Sequence, residues 1–387
     1  MARNKLIDNL IKTNRRRGEQ NIRKWRLALI QAENVENPKR KMYYDLADEI
    51  LLDTHFCSEM EKRIEGVLGS KFVLLNSEGE ADYEASKVLQ NPWMAKAIKM
   101  AMESKFLGHS LIQLGDPNKE TGLITDVSLV PRRHVIPEHG LYTVREGDDK
   151  GVFYRDSLKH WKWLLEVGES NDLGIINKCA PHILFKRFAQ SAWSDYLELF
   201  VSPLRIGKTE SNQPEHLDRM ERMLQDMSTL SYGVLADGES IEFVKDGTTN
   251  QGGQAFKSLI DHCNSEVSKV INRAVIGEAT QSGSRSKEEV GERLGEGVTS
   301  SDKRWITDWI NESVLPKLIQ IGYSQLAGYV FQFELEDDLT EKWKITQGLL
   351  SHYDIDPEYI SETFNVPVEK KKEPAPNPTK LDAKSFF

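Results

Sequence analysis

The segment Ser202 to Thr209 (SPLRIGKT) ends in Gly-Lys-Thr, as a phosphate-binding loop does. Its chemistry would be a cradle of backbone N–H groups around phosphates, with the lysine reaching the outer ones. That cradle needs a glycine five positions before Gly207, and position 202 is a serine followed by Pro203, which removes a donor. The helix that should start after Thr209 is interrupted by Ser211-Asn212-Gln213-Pro214. The segment therefore reads as a strand end followed by a turn.

Other reactive types are equally isolated. His134 and His139 lie five apart in PRRHVIPEH with no cysteine or further carboxylate to complete a ligand set, and Cys179 and His182 have no third partner at metal-site spacing. The acids Glu78, Glu80 and Asp82, and Glu334, Glu336, Asp337 and Asp338, read as solvated faces or loops. No GxSxG or HExxH motif occurs. A two-metal nuclease would need acids converging from several strands, and nothing suggests it. The expectation is no catalytic residue, no metal, no cofactor and no enzyme activity.

The elements that would carry such groups follow from periodicity. Tyr43 to Leu68 has Leu46, Ile50, Leu51, Met60, Ile64 and Leu68 at helical spacing, with Gly69 as a stop. Lys71–Asn76 reads as a strand and Pro92–Ser104 as a helix. Short segments at 110–114, 123–130, 141–145, 152–154 and 182–186 are partly alternating and Gly/Pro-punctuated, which predicts a β-rich region. Helices are expected at Ser191–Phe200 and Glu215–Leu230, a strand at 203–206, and a hairpin of 232–235 with 241–244 about Asp237-Gly238. Gln254–Val275 has the clearest helical period, through Phe256, Leu259, Ile260, Cys263, Val267, Val270, Ile271 and Val275. Residues 277–286 read as a loop, Ser300–Gln320 as a helix, 328–335 as a strand followed by two short helices, and the Lys/Pro-rich 369–387 as a disordered tail with an aromatic end.

The 387 residues suffice for two or three domains. The net charge of −9 is uneven: residues 1–41 hold twelve basic and four acidic side chains, a net +8, leaving −17 on the other 346. A basic arm can neutralise nucleic-acid phosphates, or it can pack on an acidic neighbouring subunit. It lacks the interleaved aromatics of a single-strand binder. Three scattered cysteines without a CxxC argue against a disulfide framework or structural zinc and for a reducing compartment. Neither a secretory signal nor a membrane span is expected.

Assembled in order, these pieces resemble the Mu-like family of tailed-bacteriophage portal proteins. YYDLADEILLDTHFCSEMEKRIEGV is similar to the family's early helix, and SLIQL and VSLVPRRHVIPEHG to its next β segments. FAQSAWSDYLELFVSPLRIGKT resembles its mid-chain signature. SEVSKVINRAVIGEATQSGSRSKEEVGERL resembles its long helix, Gly/Ser loop and following helix. The likeness runs from about 43 to 323 and is structural rather than catalytic.

The resemblance implies an α+β, phage-portal-like subunit with a β-rich wing, long stem and tunnel helices and a small inserted α/β clip. Its parts would be a basic N-terminal arm (1–41), wing (42–183), stem helix (184–200), clip (201–248), second stem helix (249–276) and tunnel loop (277–286). A tunnel helix returning to the wing (287–340), small crown-like helices (341–368) and the tail (369–387) complete it. It further implies a ring, a dodecamer, at one capsid vertex of a virion assembled in the bacterial cytoplasm, with double-stranded DNA passing through. The partners implied are the major capsid protein, the terminase large subunit and a head-completion adaptor.

Under that reading Gln281, Ser282, Gly283, Ser284, Arg285, Ser286 and Lys287 would line the channel. Arg285 would touch phosphate or form an intersubunit salt bridge with an acid such as Glu278. Lys257, Asp261, Lys269 and Arg273 would form the polar face of the second stem helix, and Arg219, Glu221, Arg222 and Asp226 would dock partners at the clip. The competing readings are a DNA-processing enzyme (packaging ATPase or nuclease) and a simple nucleic-acid binding module using the arm.

Overall fold

A computed structural model describes Leu10 and residues 20–118, 120–200, 204–209, 213–226, 235–244, 249–273, 285–334, 339–350, 352–353 and 355–367. The chain divides into a unit ending at Phe333 and a second unit from Glu334.

The first unit opens with α1 (Ile22–Ala32), whose first turn is capped by the Asn21 side chain accepting from the Lys24 N–H. The helix expected over 43–68 is two helices, α2 (Lys41–Ile50) and α3 (Thr54–Leu68). Asp53 causes the break, because its carboxylate accepts from the Phe56 N–H at 3.0 Å and starts a new helix. Strands β1 (Phe72–Leu75) and β2 (Ala81–Asp82), the turn α4 (Tyr83–Ser86) and α5 (Pro92–Leu107) follow.

Short strands then alternate with turns: β3 (His109–Leu114), β4 (Val127–Leu129), β5 (Val135–Ile136), β6 (Leu141–Thr143), β7 (Gly151–Phe153), the turn α6 (Leu158–Trp161) and β8 (Leu164–Gly168). β3 is the centre of an antiparallel sheet ordered β4-β3-β8, and β6 of one ordered β5-β6-β7. Gly108, between α5 and β3, has φ 88°, and a Cβ there would lie 2.1 Å from the Asp172 carbonyl oxygen. Helix and strand join this tightly only through glycine.

Residues 182–186, expected as a strand, are helical. They lie in α7 (Ile175–Phe200), which passes through Pro181. A short apolar run fits a buried helix as well as a strand. Here Ile176, Cys179, Ala180, Ile183 and Leu184 are all buried at helical spacing.

β9 (Leu204–Lys208), α8 (Pro214–Asp226) and β10 (Ser240–Val244) form a small strand–helix–strand unit. β10 pairs antiparallel with β9, from Leu204↔Val244 to Lys208↔Ser240, where a hairpin with 232–235 was expected. Residues 232–234 lie outside the described ones.

α9 (Thr249–Asn272) ends where Arg273 turns left-handed, at φ 58°. α10 (Arg285–Trp309) starts fifteen residues before the expected Ser300. One π-helical stretch, Ile310–Val314, joins it to α11 (Leu315–Ile321). β11 (Val330–Phe333) pairs with β1, from Phe72↔Phe333 to Leu75↔Val330, and completes the sheet β11-β1-β2. Tyr43, Phe56, Trp93, Phe106 and Phe331 fill the common core.

The second unit holds α12 (Leu339–Leu350) and α13 (Pro357–Phe364), with the Trp343 and Phe364 rings edge-on at 5.3 Å. The expected disordered tail lies outside the described residues.

Candidate functional site

α7 and α9 pack along one another in opposite directions. Near one end the rings of Tyr196 and Phe256 meet at 5.8 Å, and further along His182 acts on Glu266. Val267 and Ile271 on α9, and Cys179, Ile183 and Leu184 on α7, are buried in the common core. The β9–α8–β10 unit sits in the chain between these two helices.

The other end of α9 is fixed by α3. His55 meets the Asn264 carbonyl oxygen at 3.0 Å and the Ser268 hydroxyl at 2.8 Å. Asn272 donates to Glu59, and Arg63 Nη1 donates to the Ile271 carbonyl at 2.6 Å. The same guanidinium holds Asp302 of α10, Nε to Oδ2 at 2.6 Å and Nη2 to Oδ1 at 2.9 Å, and Lys105 Nζ of α5 adds a bond to Oδ1 at 2.6 Å. Lys105 also lies 4.4 Å from the Trp305 ring centroid. Burial alone would raise the Asp302 carboxyl, but Arg63 and Lys105 outweigh it and hold the group below the usual carboxylate range. The end of α9 and the middle of α10 are thus fastened to one residue, Arg63.

Of the expected channel residues, Gln281, Ser282, Gly283 and Ser284 lie outside the described residues. Arg285, Ser286 and Lys287 form the first turn of α10, so the helix begins two residues inside the expected loop. Lys257, Asp261, Lys269 and Arg273 are all exposed. At 3.6 residues per turn they wind around nearly half the helix, and Lys269 pairs with Glu266 at 2.6 Å on its own helix.

In the strand–helix–strand unit Arg219, Glu221, Arg222 and Asp226 are all exposed, and Arg219 also pairs with Glu239 beside β10. Gly207 lies in β9 under α8, where a Cβ would come within 2.8 Å of Met220 Cγ. Lys208 pairs across the two strands with Glu242 at 2.5 Å. The strand expected at 203–206 thus runs on through Gly207 and Lys208 and ends before Thr209, with its glycine set by packing and its lysine by a cross-strand ion pair.

The last three cations of the basic arm, Lys39, Arg40 and Lys41, are paired within the chain. Arg40 is buried, donating to Glu138 at 2.7 Å and to the Asp172 and Ser170 carbonyls, and Lys39 pairs with Asp149 at 2.7 Å. The arm's last residues therefore meet acids of the same chain. His134 is buried with Nδ1 2.9 Å from the Thr143 carbonyl oxygen, and burial pushes the Cys179 thiol up to about 12. Among the described residues no three His, Cys, Asp or Glu side chains converge to hold a metal, and no helix is long and apolar enough to cross a membrane.

Sequence reasoning missed a second buried polar cluster. Glu166 of β8 accepts from His109 at 2.9 Å, from Tyr154 at 2.6 Å and from Arg155 at 2.6 and 3.0 Å. Burial opposes ionisation, yet these donors bring its carboxyl down to about 2. Nearby Lys317 of α11 donates to the Leu164 carbonyl and lies 3.5 Å from the Trp161 ring centroid, and burial brings its ammonium down to about 8. Both clusters join residues far apart in the chain, so no local motif announces them.

The chain matches the family of portal proteins of Mu bacteriophage over residues 44–366. It is 22% identical over 345 residues to the portal protein of Escherichia phage Mu, covering 81% of this chain and 65% of that protein. To the Mu-like prophage FluMu protein gp29 of Haemophilus influenzae it is 21% identical over 241 residues, 57% of this chain and 45% of the other. The chain thus spans less than two thirds of either relative. Among solved structures, a chain from the neck of an empty GTA particle, computed with C6 symmetry, superposes with a TM-score of 0.55. That match covers 90% of this chain and all of the other at 12% identity.

Proposed function

The chain belongs to the Mu bacteriophage portal protein family, and on that premise we propose that twelve copies form a ring at one capsid vertex of a virion. Double-stranded DNA enters and leaves through its hole. The observation that carries this reading is the arrangement about Arg63: a long antiparallel helix pair, α7 and α9, has a small α/β unit between its members and one end anchored to α10. These elements would serve as stem and clip, with the segment between α9 and α10 as the tunnel loop, in the order the family resemblance implies.

The job needs a wall that does not hold DNA rather than bond-making chemistry. A duplex carries one negative charge per about 1.7 Å of axis, so a strongly basic lining would grip it at every step. The −17 carried outside the arm suits a lining along which the duplex slides. Segment 277–286 would face the channel, with Arg285 at the helix start as the phosphate contact. Arg219, Glu221, Arg222 and Asp226, exposed on α8, would meet the terminase large subunit during filling and a head-completion adaptor afterwards, and the wing would meet the major capsid protein. Assembly takes place in the bacterial cytoplasm.

Native mass spectrometry with negative-stain class averages of the purified full-length chain tests this. Closed rings of about twelve subunits with a central hole are expected. A monomer or dimer that persists at micromolar concentration overturns it.

A further inference from the structure

The second unit presents two helices with chemically different outer faces. On α13, Glu358, Tyr359 and Glu362 are exposed and fall within one arc at 3.6 residues per turn, and no residue of Pro357–Phe364 is basic. On α12, Lys344, Ile345, Gly348 and Leu349 are exposed on a contiguous face, apolar with one cation. Trp343 and Phe364 meet edge-on, which holds the two helices together while both outer faces remain open. Helices of 12 and 8 residues are too short to persist alone in water, where about 12–15 residues are already marginal, so each depends on packing beyond its own backbone.

We propose that the occupant is a second copy of this chain, α12 of one subunit packing on α13 of the next. Charge decides the pairing. Two α13 faces brought together would oppose Glu358 and Glu362 with the same acids, whereas an α12 face offers a cation, Lys344, to the two glutamates and apolar side chains, Ile345 and Leu349, to Tyr359. A contact joining two different surfaces repeats from copy to copy and closes into a ring when the rotation allows. The inference rests on the ring proposed above and assigns one of its contacts.

Charge reversal in the full-length chain tests it, with the protein concentration at half ring assembly read by mass photometry in about 50 mM salt. K344E and E358K/E362K are each expected to raise that concentration about ten-fold, the triple variant to return it to the wild-type value, and high salt to shrink the differences. Unchanged assembly in the reversals, or a triple variant that does not recover, overturns this contact while the ring stands. A wild-type chain that stays monomeric overturns ring and contact together.

Discussion

Arg63 and Asp302, 239 residues apart in sequence, meet as a two-pronged ion pair whose carboxylate side chain is fully buried. The remaining guanidinium nitrogen caps the Ile271 carbonyl in the last turn of α9. One arginine on α3 thereby positions both helices that flank the proposed channel segment. Lys105 supplies the second cation that a fully buried carboxylate can accommodate.

Removing the carboxylate should therefore cost far more than a surface pair. Asp302→Ala leaves Arg63 and Lys105 as part-buried cations without their anion, and breaking a buried pair costs about 3–5 kcal/mol. Asp302→Asn should cost less, because an amide oxygen still accepts one bond. Urea denaturation measures both. Hydrogen exchange should show the loss at the end of α9 and the middle of α10 first. A denaturation midpoint unchanged in Asp302→Ala would show that the pair fastens nothing.

Glu166 predicts acid sensitivity. Its carboxyl sits at about 2 in the fold and at about 4.3 in an unfolded chain. The folded value is the lower one, so the stabilisation is complete above the unfolded value and disappears as pH falls from about 4.5 to about 2. Its size is on the order of 3 kcal/mol. Glu166→Gln should lose this at neutral pH and show a flatter stability profile in that window. Parallel acid profiles of the two proteins would exclude Glu166 as the source.

Lys317 has the opposite consequence at the alkaline end. Its ammonium is held at about 8 against about 10.4 unfolded, so the unfolded chain binds more protons between those values and the fold gains stability as pH rises through them. Lys317→Met keeps the stem over Trp161 and removes the titration. Its stability should match or exceed wild type at pH 7 and lack the wild-type rise between about 8 and 10.4. A thermal-melt series across that range decides it, and a variant that keeps the rise refutes the assignment.

What could be read from the sequence followed the physics that is local. The period of Phe256, Ile260, Cys263, Val267 and Ile271 is an amphipathic helix in any context, and α9 forms where it was expected. The failed phosphate loop was legible because Ser202 and Pro203 break a backbone requirement, although the packing role of Gly207 under Met220 was not. HILFK misled because five apolar-rich residues fit either a strand or a buried helix, and the layers above and below decided it. Asp53 was a legible cap that the apolar period across 43–68 overrode. Arg40, Arg63 and Glu166 were out of reach, since nothing in a charged residue's neighbours tells which distant partner will bury it. The channel segment was read as one loop, and its last two residues belong to a helix.

The outward face of α7 carries the last prediction. Phe185 and Phe188 are 52% and 73% exposed and stand in one arc with the half-buried Pro181 and Ala192, on a helix whose other sides are buried against α9 and α2. Single exposed phenylalanines are ordinary, but two on one stripe of a long helix suit a contact between copies. Phe185→Ser/Phe188→Ser removes apolar surface that the isolated subunit leaves mostly exposed, so its unfolding free energy should fall by no more than about 1 kcal/mol. Burying a fully exposed phenylalanine contributes about 1.5–3 kcal/mol, and these two rings expose between them little more than one such side chain, so their loss at each contact should raise the ring-assembly concentration at least about 20-fold. Mass photometry of the double variant, paired with urea denaturation, separates assembly from folding. Rings that persist at the wild-type concentration would place this stripe against solvent, and a variant destabilised as a monomer would mean that the two rings are packed within the subunit.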